Sequence, residues 1–247
     1  MMRRLSFWGE RAIAISAETE HTLATTFGVN PERITKVWHG VDEQRFRPPS
    51  VTERRDAKAS FSIEPDAFVV SVVARVTRDK GQHLLLQALA RLRQRLPHVV
   101  ALIAGKGDAL ADLRALASEL GIEAHVRFVG HVDPVSALWA SDLSALPSSI
   151  EGFPYSVIES MMCAVPVIRT PAGGYREQIV HGEDGIIIPF GSHEGLASAI
   201  STLSVDRARL EAMGEAAHAS ARLKFSLSAM ASRTESIYKD VLVQARR

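Results

Sequence analysis

A chain of 247 residues holds one large domain or two small ones, and its 46% hydrophobic content is ample for a packed core. Lys and Arg number 29 against 28 Asp and Glu, a net charge of +1 that gives no global electrostatic reason to bind nucleic acid. The single cysteine, Cys163, excludes an internal disulfide and points to a reducing compartment.

No apolar run approaches the roughly 20 residues needed to cross a bilayer. The start, Met1 to Trp8, has a signal-like basic beginning, but Glu10 and Arg11 interrupt the apolar stretch too early for a secretory signal. A cytoplasmic protein is expected.

Ala12 to Ser16 is a short apolar run that reads as a strand. Glu18 to Phe27 follows as a helix closed by Gly28, and Ile34 to Trp38 as a second strand. His39-Gly40-Val41-Asp42 is a turn, and Arg47-Pro48-Pro49-Ser50 reads as a linker. Two strands and one helix are too little to close a core alone.

From Phe68 the pattern becomes regular. Strands are predicted at Phe68 to Val76, Val99 to Ala104, Val126 to Val129, Leu143 to Leu146, Val165 to Ile168 and Gly185 to Pro189. Between them lie helices at Gln82 to Leu96, Ala109 to Leu120, Pro134 to Ala140, 154–163, 175–180 and 193–203. Two further helices, Arg207 to Lys224 and Leu227 to Val243, end the chain, the second with Ser226 as N-cap. Strands alternating with helices through short connections imply right-handed crossovers, and so an α/β fold with a Rossmann-like parallel sheet covered by helices on both faces. Cys163, inside the apolar run Met161 to Val167, reads as a buried structural thiol.

In such sheets the ligand crevice lies outside the carboxyl ends of the strands. Arg75 and Lys80 stand at the first of these ends, beside a helix start, where two cations and free N–H groups suit a diphosphate. Arg78 reads as a solvated loop charge. Gly105 and Gly107 flank Lys106 at the second end; they serve either a plain turn or close backbone approach to a ligand. A third glycine at the dinucleotide spacing is missing, which disfavours NAD and FAD. Gly130-His131-Val132 at the third end offers backbone to a nucleobase, and Gly173-Gly174 marks a later one. Glu151 lies in the loop after Leu143 to Leu146, and Glu159 in the second turn of the next helix. Two glutamates alone would read as solvated charges. The other polar and glycine positions on the same edge describe a site for phosphate, ribose and polyhydroxy groups.

Arg75 to Gly81, Gly105-Lys106-Gly107, Phe128-Val129-Gly130, Ala140-Ser141-Asp142, Pro147-Ser148, Glu151-Gly152-Phe153, Glu159, Pro166-Val167 and Gly173-Gly174 occur in the order seen in glycosyltransferase family 4, which the chain resembles over nearly its whole length. The resemblance implies the C-terminal half of a GT-B fold and retaining, metal-independent transfer from a nucleotide-diphosphate-sugar. It implies a donor diphosphate on Arg75, Lys80, Gly105 and Gly107, and a nucleoside on Gly130, His131, Val132 and Glu159. The donor sugar is implied on Glu151, Gly152 and Phe153, with Glu151 as the catalytic residue. No metal and no resident cofactor is expected; the nucleotide-sugar, taken as UDP-linked, is substrate. Pro154 stands where the family often has glycine, which shifts the sugar contacts.

His39-Gly40-Val41-Asp42 resembles the hinge of that family. The expected division is therefore 1–42 as a remnant of an N-terminal acceptor domain with its hinge, 43–225 as the nucleotide-sugar-binding domain, and 226–247 as a crossover helix. The expected acceptor is a glycan or lipid, with peripheral membrane contact left open. Apolar residues at Trp8, Ala12 to Ile15, Leu227, Met230, Ile237, Tyr238 and Leu242 predict self-association or a partner chain. The alternatives are a non-catalytic nucleotide-sugar-binding module or partnered subunit, and a sugar epimerase of the same architecture.

Overall fold

The computed structural model describes residues 9–245. Trp8 and the signal-like start lie outside the described residues. Near the beginning, β1 (Ala12–Ala14), α1 (Ala17–Thr25) and β2 (Ile34–Lys36) form a small unit with two parallel strands. Ala12, Ala14, Leu23, Val29 and Ile34 bury one another there. The expectation that these pieces lack a core is corrected: a short parallel crossover buries a satellite cluster of its own.

The main body contains α2 (Val51–Ser60), β3 (Phe68–Val73), α3 (Gln82–Leu92), β4 (Val99–Ala104), α4 (Leu110–Glu119), β5 (Val126–Gly130) and α5 (Pro134–Trp139). It continues with β6 (Leu143–Leu146), α6 (Tyr155–Met162), β7 (Val167–Arg169), α7 (Tyr175–Gln178), β8 (Gly185–Ile187) and α8 (His193–Val205). The long helices α9 (Arg207–Phe225) and α10 (Leu227–Ala245) follow. Ser226 accepts from the Ala229 N–H at 3.2 Å, as an N-cap should.

Six strands pair in parallel in the order β5-β4-β3-β6-β7-β8. The central strands are unbroken apolar runs because helices cover both of their faces; Val99–Ala104 is buried throughout. α3 follows the helical period and buries Leu84, Leu85, Leu86, Leu89 and Leu92 against the sheet. Strand order runs outward from β3 in one direction and from β6 in the other, so the crevice opens between these two neighbours at their carboxyl ends.

Arg47 to Ser50, read as a linker, carries no helix or strand, and its last residue caps α2, a helix absent from the sequence reading. Ser50 accepts from the Glu53 N–H while Glu53 accepts from the Ser50 N–H, a reciprocal cap on α2. α2 lies near the amino edge of the sheet, where Asp142 gathers three cations. Its carboxylate is 3.5 Å from Lys58 Nζ, 3.7 Å from Arg54 Nη1 and 3.4 Å from Arg207 Nη1. It also accepts from the Val69 N–H at 2.8 Å, which ties it to β3.

At the far end of α10, Tyr238 and Leu242 are exposed, as is Leu227 at its start, whereas Ile237 is buried. Cys163 is fully buried, and burial pushes its thiol up to about 12, so it is unreactive.

Candidate functional site

At the carboxyl edge a cleft of about 330 Å³ opens beside β3, β4 and α6. Arg75, Gly105, Lys106, His131, Val132 and Glu159 line it, with Val73, Ala74, Ala104 and Pro134 as an apolar floor. Five of the residues singled out in the sequence therefore meet in one cavity although they span 85 positions, from 75 to 159. Lys106 joins them; the sequence reading quoted it between two glycines but gave it no role. Lys80, Gly107, Gly130, Glu151, Gly152 and Phe153 do not line this cavity.

The loop after β3 is held by Gln82, a buried side chain whose Nε2 donates to the Arg75 carbonyl at 2.7 Å. That bond fixes the backbone of Arg75, while its guanidinium is exposed and has no ion-pair partner among the described residues. Gly105 and Gly107 are needed for a reason internal to the chain. A Cβ on Gly105 would stand 1.8 Å from the Ala74 carbonyl oxygen, and one on Gly107 2.0 Å from that of Val76. Their missing side chains let two loops of the sheet edge touch.

Glu159 projects from the second turn of α6 into the cleft. Among the described residues no group hydrogen-bonds its carboxylate. Burial raises it from its ordinary range to about 7; Arg45 opposes that rise and Asp133 adds to it. Glu159 is therefore partly protonated at neutral pH.

Glu151 is situated differently. Its Oε1 accepts from Lys80 Nζ at 2.9 Å, and both side chains are nearly buried at 10% and 13% exposure. Lys80 also lies 3.4 Å from the Asp79 carboxylate and from the Ile150 carbonyl oxygen. The pair bridges the loops after β3 and β6, the two strands that flank the crevice. Two residues expected to bind different parts of one ligand hold each other. Phe153 is buried against Phe225 and His39, with ring centroids 5.7 and 5.9 Å away. Its ring faces the core, so its contribution to the edge is its backbone.

Two buried polar residues of this edge escaped the sequence reading, Arg169 and Gln178. Arg169 directly follows the apolar run Val165 to Ile168, where a lone cation gives no sign of pointing inward. The small N-terminal unit also reaches the edge: Ala17 N–H donates to Glu177 at 2.7 Å. Ile15 approaches the position of a Gly152 Cβ to 3.8 Å, and Glu18 that of Gly173 to 2.7 Å.

The chain is similar to known proteins in sequence and in fold. The family described as "Glycosyl transferases group 1" fits residues 53–220. "D-inositol 3-phosphate glycosyltransferase 2" of Catenulispora acidiphila is 35% identical over 243 residues, which is 93% of this chain and 56% of that protein. The structure of Anabaena HepE in complex with UDP superimposes with a TM-score of 0.88 at 26% identity, over 94% of this chain and 64% of that one. HepE in complex with UDP-glucose gives a TM-score of 0.85 at 26% identity, over 95% and 64%. The chain spans about half the length of the curated relatives it matches.

Proposed function

The chain belongs to the glycosyl transferases group 1 family, and on that premise we propose that it supplies the donor site of a glycosyltransferase acting on a nucleotide-diphosphate-sugar. The observation that carries this reading is the cleft in which Arg75, Lys106 and Glu159 converge beside the Gly105 backbone at the strand-order switch. The nucleoside lies along Gly130, His131 and Val132, and Glu159 accepts hydrogen bonds from the ribose hydroxyls. Arg75 and Lys80, with the backbone around Gly105 and Gly107, take the diphosphate. The sugar extends toward Glu151, Gly152 and the backbone of Phe153.

Transfer breaks the bond between the anomeric carbon and the diphosphate oxygen and forms one from that carbon to an acceptor hydroxyl, whose proton passes to the departing diphosphate, on whose oxygen negative charge grows. Fixed cations at that point stabilise the transition state more than the ground state. Lys80 is held in place for this by Glu151. On binding, the diphosphate competes with Glu151 for Lys80, which frees the carboxylate for the sugar. The family 4 assignment, the retaining and metal-independent course and a glycan or lipid acceptor rest on the sequence resemblance. A UDP carrier has further support in the UDP and UDP-glucose complexes of HepE. The division at residues 42 and 225 belongs to the same reading.

A second reading, a nucleotide-sugar-binding module or subunit that works with a partner chain, is favoured by the apolar side chains that α10 leaves in solvent. Thermal shifts with UDP, ADP, GDP and UDP-glucose test the donor site. A ligand at 100 times its Kd adds about 2.7 kcal/mol of stability. A melting temperature unmoved by every nucleotide overturns both readings, and binding without acceptor-dependent turnover favours the second.

A further inference from the structure

The last residue of β7 is a cation with no exposed surface. Arg169 heads the fully buried side chains by volume, and the hydrogen-bond acceptors it reaches among the described residues are all neutral. Nε donates to the Thr170 carbonyl at 3.2 Å, and Nη2 to those of Ala172 and Gly173 at 2.8 and 2.9 Å. Nη1 donates to Oε1 of Gln178. Burying a guanidinium without a direct carboxylate partner is costly, and a methionine would fill similar space without that cost. Burial pulls Arg169 down to about 10, and the carboxylates that oppose this are Glu151, Glu18 and Glu177.

Two routes lead from this guanidinium to the segment that carries Glu151. Gln178, itself fully buried, accepts from Arg169 and passes the connection on: its Nε2 donates to the Pro154 carbonyl at 3.0 Å. The loop wrapped around Arg169 is also pressed against that segment. A Cβ on Gly173 would stand 2.2 Å from the Glu151 carbonyl oxygen and 2.9 Å from that of Gly152. Neither Arg169 nor Gln178 lines the nucleotide cleft.

We propose that Arg169, acting through Gln178 and the 170–173 loop, is a positioning residue that fixes residues 151–154 for the sugar end of the donor. This rests on the donor-site reading above. A merely structural plug would stabilise the fold without favouring one part of the ligand, whereas a positioning residue acts on the sugar and spares the nucleotide.

The test compares R169M, R169K and Q178L with the unaltered chain by amide ¹⁵N relaxation and by calorimetry with UDP and UDP-glucose. R169M should make the amides of residues 151–153 mobile, with order parameters falling from about 0.85 toward 0.6, and leave those of residues 75–80 unchanged. It should spare UDP within about twofold and lower the ratio of UDP-glucose to UDP affinity roughly tenfold, as expected for members of one hydrogen-bond network. R169K restores part of both effects, and Q178L reproduces the mobility while leaving the cation in place. If R169M does not fold, R169K and Q178L carry the test. Unchanged mobility at residues 151–153 overturns the proposal, as does an equal loss of both ligands. Failure of the unaltered chain to bind either nucleotide sinks the donor-site reading instead, and the relaxation result still decides the positioning role.

Discussion

At the amino edge of the six-stranded sheet Asp142 is met by Lys58, Arg54, Arg207 and the Val69 N–H, whereas at the carboxyl edge no described group hydrogen-bonds the Glu159 carboxylate. Asp142 immediately precedes β6 and Glu159 lies on α6, so a short stretch of chain separates the two cases. The first carboxylate has its hydrogen bonds and charge compensated within the protein and borders no described cavity. The second has been desolvated with no hydrogen bond among the described residues and only the charge of Arg45 to oppose the cost, and it faces a cleft. A fold gains nothing in stability from the second arrangement, which makes it the place to look for a ligand.

The sharpest way to break this comparison is Asp142→Ala. Lys58, with a side chain only 6% exposed, would lose its sole carboxylate among the described residues. Removing one partner of a buried ion pair typically costs about 3–5 kcal/mol. Urea denaturation should show a loss near the lower figure, with the nucleotide affinity of the folded protein unchanged. A loss below about 1 kcal/mol would place Asp142 among ordinary surface charges.

Arg75→Ala should invert the pattern. Stability stays within about 0.5 kcal/mol, as for an exposed side chain. Nucleoside-diphosphate binding weakens by about 1.5–3 kcal/mol, the range for hydrogen bonds to charged groups. Lys80→Ala should weaken binding similarly and also destabilise the fold, because Glu151 is left nearly buried and unpaired. Equal stability losses in the two variants would contradict the pairing.

Glu151→Gln sharpens the division within the carboxyl edge. Nucleoside-diphosphate affinity does not fall, because the competitor for Lys80 has lost its charge, while the nucleotide-sugar loses about 0.5–1.5 kcal/mol, measured by calorimetry. Matching losses for both ligands would remove the separate sugar role.

The smallest effect belongs to Glu159 and depends on pH. Its carboxyl is raised from an ordinary 4.5 to about 7 by burial. Between those values the folded chain holds a proton that the unfolded chain has released, so stability falls as pH rises through the window. Glu159→Gln should flatten that slope and gain about 0.5–1 kcal/mol at pH 8, allowing for partial solvent access, while binding nucleotides more weakly. Parallel stability curves for the two proteins between pH 4.5 and pH 7 would refute the shift.

The alternation of strands and helices made the sheet legible, and Val99–Ala104 and Leu143–Leu146 fall where the sequence puts them. α2 was missed because Val51–Ser60 carries no apolar stripe and follows two prolines; the Ser50/Glu53 spacing was its available signal. Arg75, Gly105, His131, Val132 and Glu159 were legible as a group because strand ends in a parallel sheet share one edge. The Lys80–Glu151 bond joins positions 71 residues apart, and local pattern has no access to such pairs. Arg169 was illegible for the opposite reason: its partners are near in sequence, but all except the Gln178 side chain are backbone carbonyls that a sequence does not display.

The bridge between Val41 and Ser226 has a mechanical consequence. Val41 N–H donates to the Phe225 carbonyl and Leu227 N–H to that of Val41, both at 2.9 Å. The two stretches of chain that leave the large sheet, one toward the small N-terminal unit and one into α10, are thus strapped side by side. Gly40 lets them close up, since a Cβ there would stand 2.6 Å from the Ser226 carbonyl oxygen. Two hydrogen bonds at one point keep the stretches from sliding past each other. The small unit's other attachments, Ala17 to Glu177 and Ile15 against Gly152, lie at the carboxyl edge itself. Strap and edge contacts together seat the small unit against the loops that carry Gly152 and Gly173.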